Sequence, residues 1–350
     1  METLAMLESL SNALGVSGFE DDVRETIRPL VAPLVDETRV DPLGNLIAIR
    51  RGRTARTLML DAHMDEIGLI VSHVEEAGFL RFAPIGGWDT RILPGQAVTI
   101  RTRGGVLHRG VIGTIPPHLL SAEERTKPQP VETLFIDVGA DSAGAVAERG
   151  IRVGDPAALA YPFQTLPDGS VLGKALDDRV GCTVMLKALE ALAGSMPELT
   201  VACNFAVAEE VGLRGARTAA YQLDPVIALA LEGTVAADVP GVSGPRQVTR
   251  LGHGPAISVA DNTIVVRPQL VRALERIAES RGIPYQLKAP LFGGTDAGAI
   301  HLNRGGVLAG GISVPCRYIH APLSLLRLSD LDGAVRLVTA FVEEAHALVG

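Results

Sequence analysis

Leu4, Leu7, Leu10 and Leu14 recur at helical spacing and predict an amphipathic helix over residues 3–14. The GVSGFED stretch at 15–21 reads as a turn into a second helix running to about residue 34. Ser17 or Gly18 would cap that helix, with Glu20 and Asp21 near its positive end. Two apolar segments, NLIAIR at 45–50 and TLMLDAH at 57–63, read as strands. The second ends in polar residues and continues into IGLIVSHV at 67–74. From about residue 70 to 165 the texture changes to short strand patterns between glycine and proline turns: FLRFAPIG, QAVTIRTRG, HRGVIGTIPP and TLFIDVG. Only SAGAVAERG at 142–150 looks helical there.

Beyond residue 170 helices and strands alternate again. A helix is predicted over 178–193, a strand over 200–210, a short helix in RGARTAAYQ and a buried strand over 225–233. An amphipathic helix follows in QLVRALERIAESRG, and a long final one in DLDGAVRLVTAFVEEAHAL. The pattern predicts an α/β fold, a mixed sheet flanked by helices, with an inserted small β-rich domain. The α/β part is then discontinuous, residues 1–69 and 165–350, interrupted by residues 70–164.

Composition narrows the function classes. Hydrophobic residues are 47% of the 350 but aromatics only 4%, so small aliphatic side chains must fill the core. Lys and Arg number 32 against 40 Asp and Glu, a formal charge of −8 with no basic run. That argues against a nucleic-acid partner, which needs a positive surface. Cys182, Cys203 and Cys316 are far apart and form no CxxC spacing, which suits a reducing compartment and buried apolar roles. The N-terminus carries Glu2 and Glu8 and no basic segment before its apolar residues, unlike a secretory signal. No stretch of eighteen apolar residues predicts a membrane span. The expected location is the cytoplasm, with no membrane partner.

Candidate chemistry collects at predicted strand ends. His63 and Asp65 form an HxD pair, in which a carboxylate could fix the tautomer of a metal-binding imidazole. A structural histidine beside a surface aspartate would look the same. Asp177 and Asp178 in GKALDDRVG fit either a helix-start pattern or a carboxylate shared between two cations. Glu209 and Glu210 end the apolar strand NFAVA, where like charges need an opposing cation unless water solvates them. Adjacent residues point differently, so one could bind metal while the other handles a proton. Glu232 ends the strand in ALALEGT, and His320 follows the GGISVP turn region. A parallel or mixed α/β sheet gathers such ends into one crevice. Imidazole with carboxylate suits zinc, cobalt or manganese. No P-loop, GxGxxG fingerprint or serine nucleophile elbow is present.

Five segments in order carry a resemblance: DAHMDEIG at 61–68, GKALDDRVG at 173–181, AEEVGLRGA at 208–216, GGTDAG at 293–298 and RYIHAP at 317–322. Together they resemble the tetrahedral, or TET, aminopeptidases, which include glutamyl and leucyl enzymes, over essentially the whole chain. The resemblance implies two divalent metal ions per subunit, zinc or cobalt, with manganese a further candidate. It implies His63, Asp177, Glu210, Glu232 and His320 as metal ligands, with Asp177 bridging and a cis peptide to Asp178. Asp65 would orient His63, and Glu209 would be the general base. It implies removal of the N-terminal residue from short peptides through a metal-activated water. It also implies a homo-oligomer, a dodecamer around a closed cavity, built by the inserted domain.

Two positions depart from the pattern. Glu232 stands where many relatives have Asp, and His253 where relatives often have Lys; His253 receives no role. Two other readings remain at this stage. Some relatives have been labelled endoglucanases, which suggests a metal-dependent glycoside hydrolase. A non-catalytic assembly protein retaining the fold is the other, favoured by loss of ligand residues that this chain keeps.

Overall fold

The structure is a computed structural model and describes residues 1–288 and 293–349. Its larger part is a mixed sheet in the order Glu37–Val40, Leu46–Arg50, Thr200–Ala206, Thr57–His63, Ile227–Val235, Leu308–Arg317, Ser324–Arg327, Ser170–Gly173, Gln164–Thr165. The four central strands, from Thr200–Ala206 to Leu308–Arg317, run parallel. Their registers pair Ala206 with His63 and Glu232 with Ser313, so the carboxyl ends of neighbouring strands lie along one edge. Helices Leu176–Ala191, Arg214–Leu223, Pro268–Ser280 and Leu328–Glu344 bury their apolar faces against it. Burial from both sides explains why these strands read as nearly unbroken apolar runs rather than alternating ones.

The inserted segment forms its own closed barrel. Strands Gly68–Val74, Leu80–Ile85, Phe135–Asp137, Leu107–Gly113, Ala97–Arg101 and Pro156–Leu159 follow one another around it. Leu69, Val71, Phe82, Val98, Ile100 and Ile136 fill a core separate from that of the large sheet. Closure leaves no free edge, which a set of short strands otherwise exposes. Among the described residues no helix is long and apolar enough to cross a membrane.

Several local expectations change. GGISVP is not a turn; it is the middle of the ten-residue strand Leu308–Arg317. The glycines mislead because they serve packing: a Cβ at Gly310 would lie 2.9 Å from Leu270 and 3.1 Å from Val266. The strand through TVACNFA stops at Ala206. Glu209 and Glu210 therefore sit in the following loop, entered through Ala208 at φ 55°. The first helix ends at Asn12, and the second spans Asp21–Val31 before a 3-10 turn at Ala32–Leu34. Neither Ser17 nor Gly18 caps the second helix; Glu20 stands at that position without a side-chain cap bond. The Ser17 hydroxyl is engaged elsewhere, as described below.

A buried ionic group braces the chain beneath the sheet edge. Glu66 accepts hydrogen bonds from Lys174 Nζ at 2.7 Å, Arg179 Nη2 at 3.3 Å and the Gly15 amide at 3.1 Å. Arg179 is fully buried and also donates from Nε to the Met64 carbonyl at 2.9 Å. Burial, and then the neighbouring Arg179 charge, lower the Lys174 pKa to about 8 despite the facing Glu66. Removing Glu66 would leave two cations buried without their carboxylate. Glu66→Ala is expected to cost about 3–5 kcal/mol in urea denaturation. A loss below 1 kcal/mol would show that the group is solvated.

Candidate metal centre

The crevice at the parallel strand ends is a cavity of about 550 Å³. His63, Asp177, Glu209, Glu210, Glu232 and His320 all line it, although they come from five separate stretches of chain. The HxD pair is the most constrained part. Asp65 is fully buried, and its Oδ1 lies 3.3 Å from His63 Nδ1. Oδ2 accepts from the Ser17 hydroxyl at 2.6 Å, while the amides of Glu209 and Glu210 donate to Oδ1 and Oδ2 at 3.0 and 3.1 Å. One carboxylate thus fixes the imidazole and the acidic loop together. Burial raises its pKa, but His63 and Ser17 outweigh that and hold it below the usual range.

With Nδ1 engaged, His63 Nε2 faces three carboxylates: Asp177 Oδ1 at 3.5 Å, Glu232 Oε2 at 3.7 Å and Glu209 Oε2 at 3.8 Å. His320 Nε2 faces the other Asp177 oxygen, Oδ2, at 3.4 Å, and Glu210 Oε1 at 3.2 Å. Its Nδ1 is 3.1 Å from the Gly87 carbonyl, which the barrel supplies. Asp177 therefore stands between two imidazoles and presents one oxygen to each. Asp178 differs, although the peptide joining them is cis. Its Oδ2 accepts the His63 amide at 3.1 Å and its Oδ1 the Gly181 amide at 3.0 Å. A Cβ at position 181 would fall 2.3 Å from the Leu231 carbonyl oxygen, so glycine permits this approach.

Three overlapping sets of donors have atoms within 4.8 Å of one another: His63, Asp178 and Glu232; His63, Glu209 and Glu210; Asp177, Glu210 and His320. The electrostatics fit a cation. Burial, and then the charges of Glu232, Glu210 and Asp65, push Glu209 well up. Burial and then Asp178 do the same to Glu232. Burial opposes charge on His63, yet Glu209, Asp177 and Asp65 hold its pKa well above the ordinary value. Burial likewise opposes charge on His320, but Asp177 and Glu210 raise it to about 11. Among the described residues no Lys or Arg pairs with Asp177, Glu209, Glu210 or Glu232. The imidazoles are left to supply the positive charge that crowded buried carboxylates require. Carboxylate oxygens and imidazole nitrogens are the donors that zinc, cobalt and manganese accept, so the residues fit a metal.

Sequence reasoning missed a shell behind these groups. Asp296 is buried, its amide donates to Glu232 Oε1 at 3.3 Å, and neither of its carboxylate oxygens has a protein partner outside the crowded acidic groups. Asp61 is also buried and accepts from Asn204 Nδ2 at 2.7 Å. Lys288, on the short strand Gln286–Lys288, lines the cavity as well. The signal available was an acidic residue inside an otherwise apolar strand, TLMLDAH, and another in the glycine-rich GGTDAG. His253 is exposed on a turn whose flanking amides, Gly252 and Gly254, donate to Asp330.

Residues 44–337 match the model of the M42 glutamyl aminopeptidase family. The chain belongs to that family. It is an aminopeptidase, a hydrolase of peptide bonds. It is 34% identical over 342 residues to a lysyl aminopeptidase of Pyrococcus furiosus, covering 97% of this chain and 96% of that one. An aminopeptidase from the archaeon Desulfurococcus kamchatkensis has the same fold, with a TM-score of 0.94, 44% identity, and 98% and 94% of the two chains covered. A TET peptidase of Pyrococcus horikoshii superposes with a TM-score of 0.88 at 34% identity, over 98% of this chain and 100% of that one. That protein can assemble into a tetrahedron or a large octahedral shell.

The raised imidazole pKa values have a measurable consequence. An imidazole that is protonated at pH 7 must lose that proton before its nitrogen can bind a metal. Titrating zinc into metal-free protein at pH 7, in buffers of different ionisation enthalpy, is expected to show net proton release. A reaction heat independent of the buffer would mean that the metal displaces no proton from the imidazoles or from the crowded carboxyl groups.

Proposed function

We propose that this aminopeptidase removes the N-terminal residue of short peptides at a centre holding two divalent cations, zinc or cobalt, with manganese able to substitute. The observation that carries this reading is Asp177, whose two oxygens face His63 and His320 separately, at 3.5 and 3.4 Å. His63, Glu232 and one oxygen of Asp177 would hold one cation; His320, Glu210 and the other oxygen would hold the second. When bound, the cations supply Lewis-acid polarisation of the scissile carbonyl and acidify a water. Glu209 takes the proton from the attacking water at a carboxylate oxygen and passes it to the departing amine. In the site without cations its burial and its acidic neighbours raise its proton affinity. Asp65 holds the imidazole of His63 and, through two amides, the loop that carries Glu209 and Glu210. The longer arm of Glu232 is anchored at Oε1 by the Asp296 amide, which leaves Oε2 toward His63.

The assembly belongs to the same proposal. Residues 1–69 and 165–350 form the catalytic domain, and residues 70–164 the domain that builds a homo-oligomer, a dodecamer enclosing the sites. The assembly of the Pyrococcus horikoshii relative supports this, as does a barrel with its own core. Enclosure would admit short or unfolded peptides only. The cytoplasm is the proposed location.

Purified protein should be stripped with a chelator, reloaded with zinc, cobalt or manganese, and assayed on aminoacyl p-nitroanilides. Activity is expected to vanish on stripping and return on loading. Activity that survives complete metal removal would overturn the reading. Glu209→Gln is expected to keep its metal content and lose roughly 10²–10⁴-fold in kcat. Glu210→Gln is instead expected to weaken metal binding, because it changes a ligand atom. Near wild-type turnover by metal-replete E209Q would remove Glu209 from its role.

A further inference from the structure

The turn at residues 15–20 reaches the acidic loop from the opposite end of the chain. The strand Thr200–Ala206 stops just before that loop. The next four amides in succession donate to side chains from elsewhere. Val207 gives to Asn45 Oδ1 at 3.0 Å, Ala208 to Glu20 Oε1 at 3.1 Å, and Glu209 and Glu210 to the two oxygens of Asp65 at 3.0 and 3.1 Å. All three acceptor residues are buried. Asp65 is also the partner of His63, whereas the hydrogen bonds that Glu20 accepts come from backbone amides. Glu20 stands at the N-cap position of the helix Asp21–Val31 but makes no cap bond, because its side chain is committed to the loop instead.

Resting on the reading of Glu209 as general base, we propose that Glu20 is a positioning residue for it. By accepting the Ala208 amide, Glu20 holds the left-handed turn from which Glu209 is aimed into the cavity. Ala208 is the residue that needs such a partner. It sits at φ 55°, where a side chain with a Cβ is strained and persists only if its surroundings hold it. The oxygen that takes the Ala208 amide also takes the Gly18 amide, at 2.7 Å, so the turn fixes the carboxylate from its own side. That turn is anchored in its own right. Val16 bridges to Glu66, and the Ser17 hydroxyl donates to Asp65 Oδ2 at 2.6 Å. The two carboxylates that carry the loop are therefore tied to one short turn, Asp65 through Ser17 and Glu20 directly. The amides need an oxygen at that position rather than a charge, and a glutamine carbonyl supplies one. Glu20 moves no proton and binds no cation in this role.

The test pairs kinetics with amide exchange. Glu20→Met removes the acceptor at similar length, and Glu20→Gln keeps a carbonyl oxygen there. Both are matched to wild type in metal content and circular dichroism. They are compared by kcat and KM on an aminoacyl p-nitroanilide and by hydrogen–deuterium exchange of the amides at 207–210. E20M is expected to lose about 10- to 100-fold in kcat with KM within about 3-fold, as a misplaced base implies. Its Ala208 amide should exchange faster than in wild type. E20Q is expected to stay within about 3-fold of wild type in kcat and to keep the slow exchange. If E20M fails to fold, Glu20→Asp takes its place: it keeps the charge, draws the oxygen back by one methylene, and should show the same losses. Wild-type kcat in metal-replete E20M would overturn the proposal, even if its thermal stability fell. So would an E20Q as impaired as E20M, since charge rather than the contact would then matter. Near wild-type turnover by metal-replete E209Q would sink the reading of Glu209 on its own. Faster exchange at Ala208 in E20M but not in E20Q would then still support the brace, and equal exchange in both would overturn it.

Discussion

Everything at the sheet edge follows from placing several carboxylates where water cannot reach them all. Asp177, Glu209, Glu210 and Glu232 crowd around two imidazoles, and behind them Asp178, Asp61 and Asp296 are buried. Such a cluster repels itself and resists ionisation. It persists only if positive charge sits among the oxygens, and among the described residues no Lys or Arg pairs with Asp177, Glu209, Glu210 or Glu232. Arg179 and Lys174 are tied to Glu66 instead. The architecture therefore holds a demand for cations open at the strand ends.

Asp65 converts that demand into geometry. Its four contacts reach His63, Ser17 and the amides of Glu209 and Glu210. A single buried acceptor thus sets the direction of an imidazole and the path of a loop three residues beyond the end of a neighbouring strand. The barrel adds the other constraint through the Gly87 carbonyl on His320. The inserted domain consequently touches the centre at one histidine, although its own core is separate.

Much of this was legible because chemistry and periodicity coincide at strand ends. The strand Thr57–His63 and the helix Pro268–Ser280 follow directly from apolar spacing, and the polar end of that strand announces His63, whereas Glu232, read as a strand end, lies inside the longer strand Ile227–Val235. The proposed ligand set was suggested only by five ordered segments resembling a family, since nothing local separates Asp177 from a helix-start aspartate. Other features were hidden for physical reasons. Gly310 and Gly311 look like a turn, yet they let a central strand pass against a helix and Ser258. Ser17 looks like a cap, but its partner is 48 residues away. The position of Glu209 in a loop depends on the left-handed backbone at Ala208, which an alanine does not advertise.

The central claim is that Asp177 stands between two metal positions, one on each imidazole. Anomalous diffraction from crystals soaked in zinc, collected above and below the zinc edge, locates such ions directly. Two peaks are expected in each subunit, one near His63 Nε2 and one near His320 Nε2, with an Asp177 oxygen on each. A single peak at full occupancy, or two peaks neither of which contacts Asp177, would contradict it.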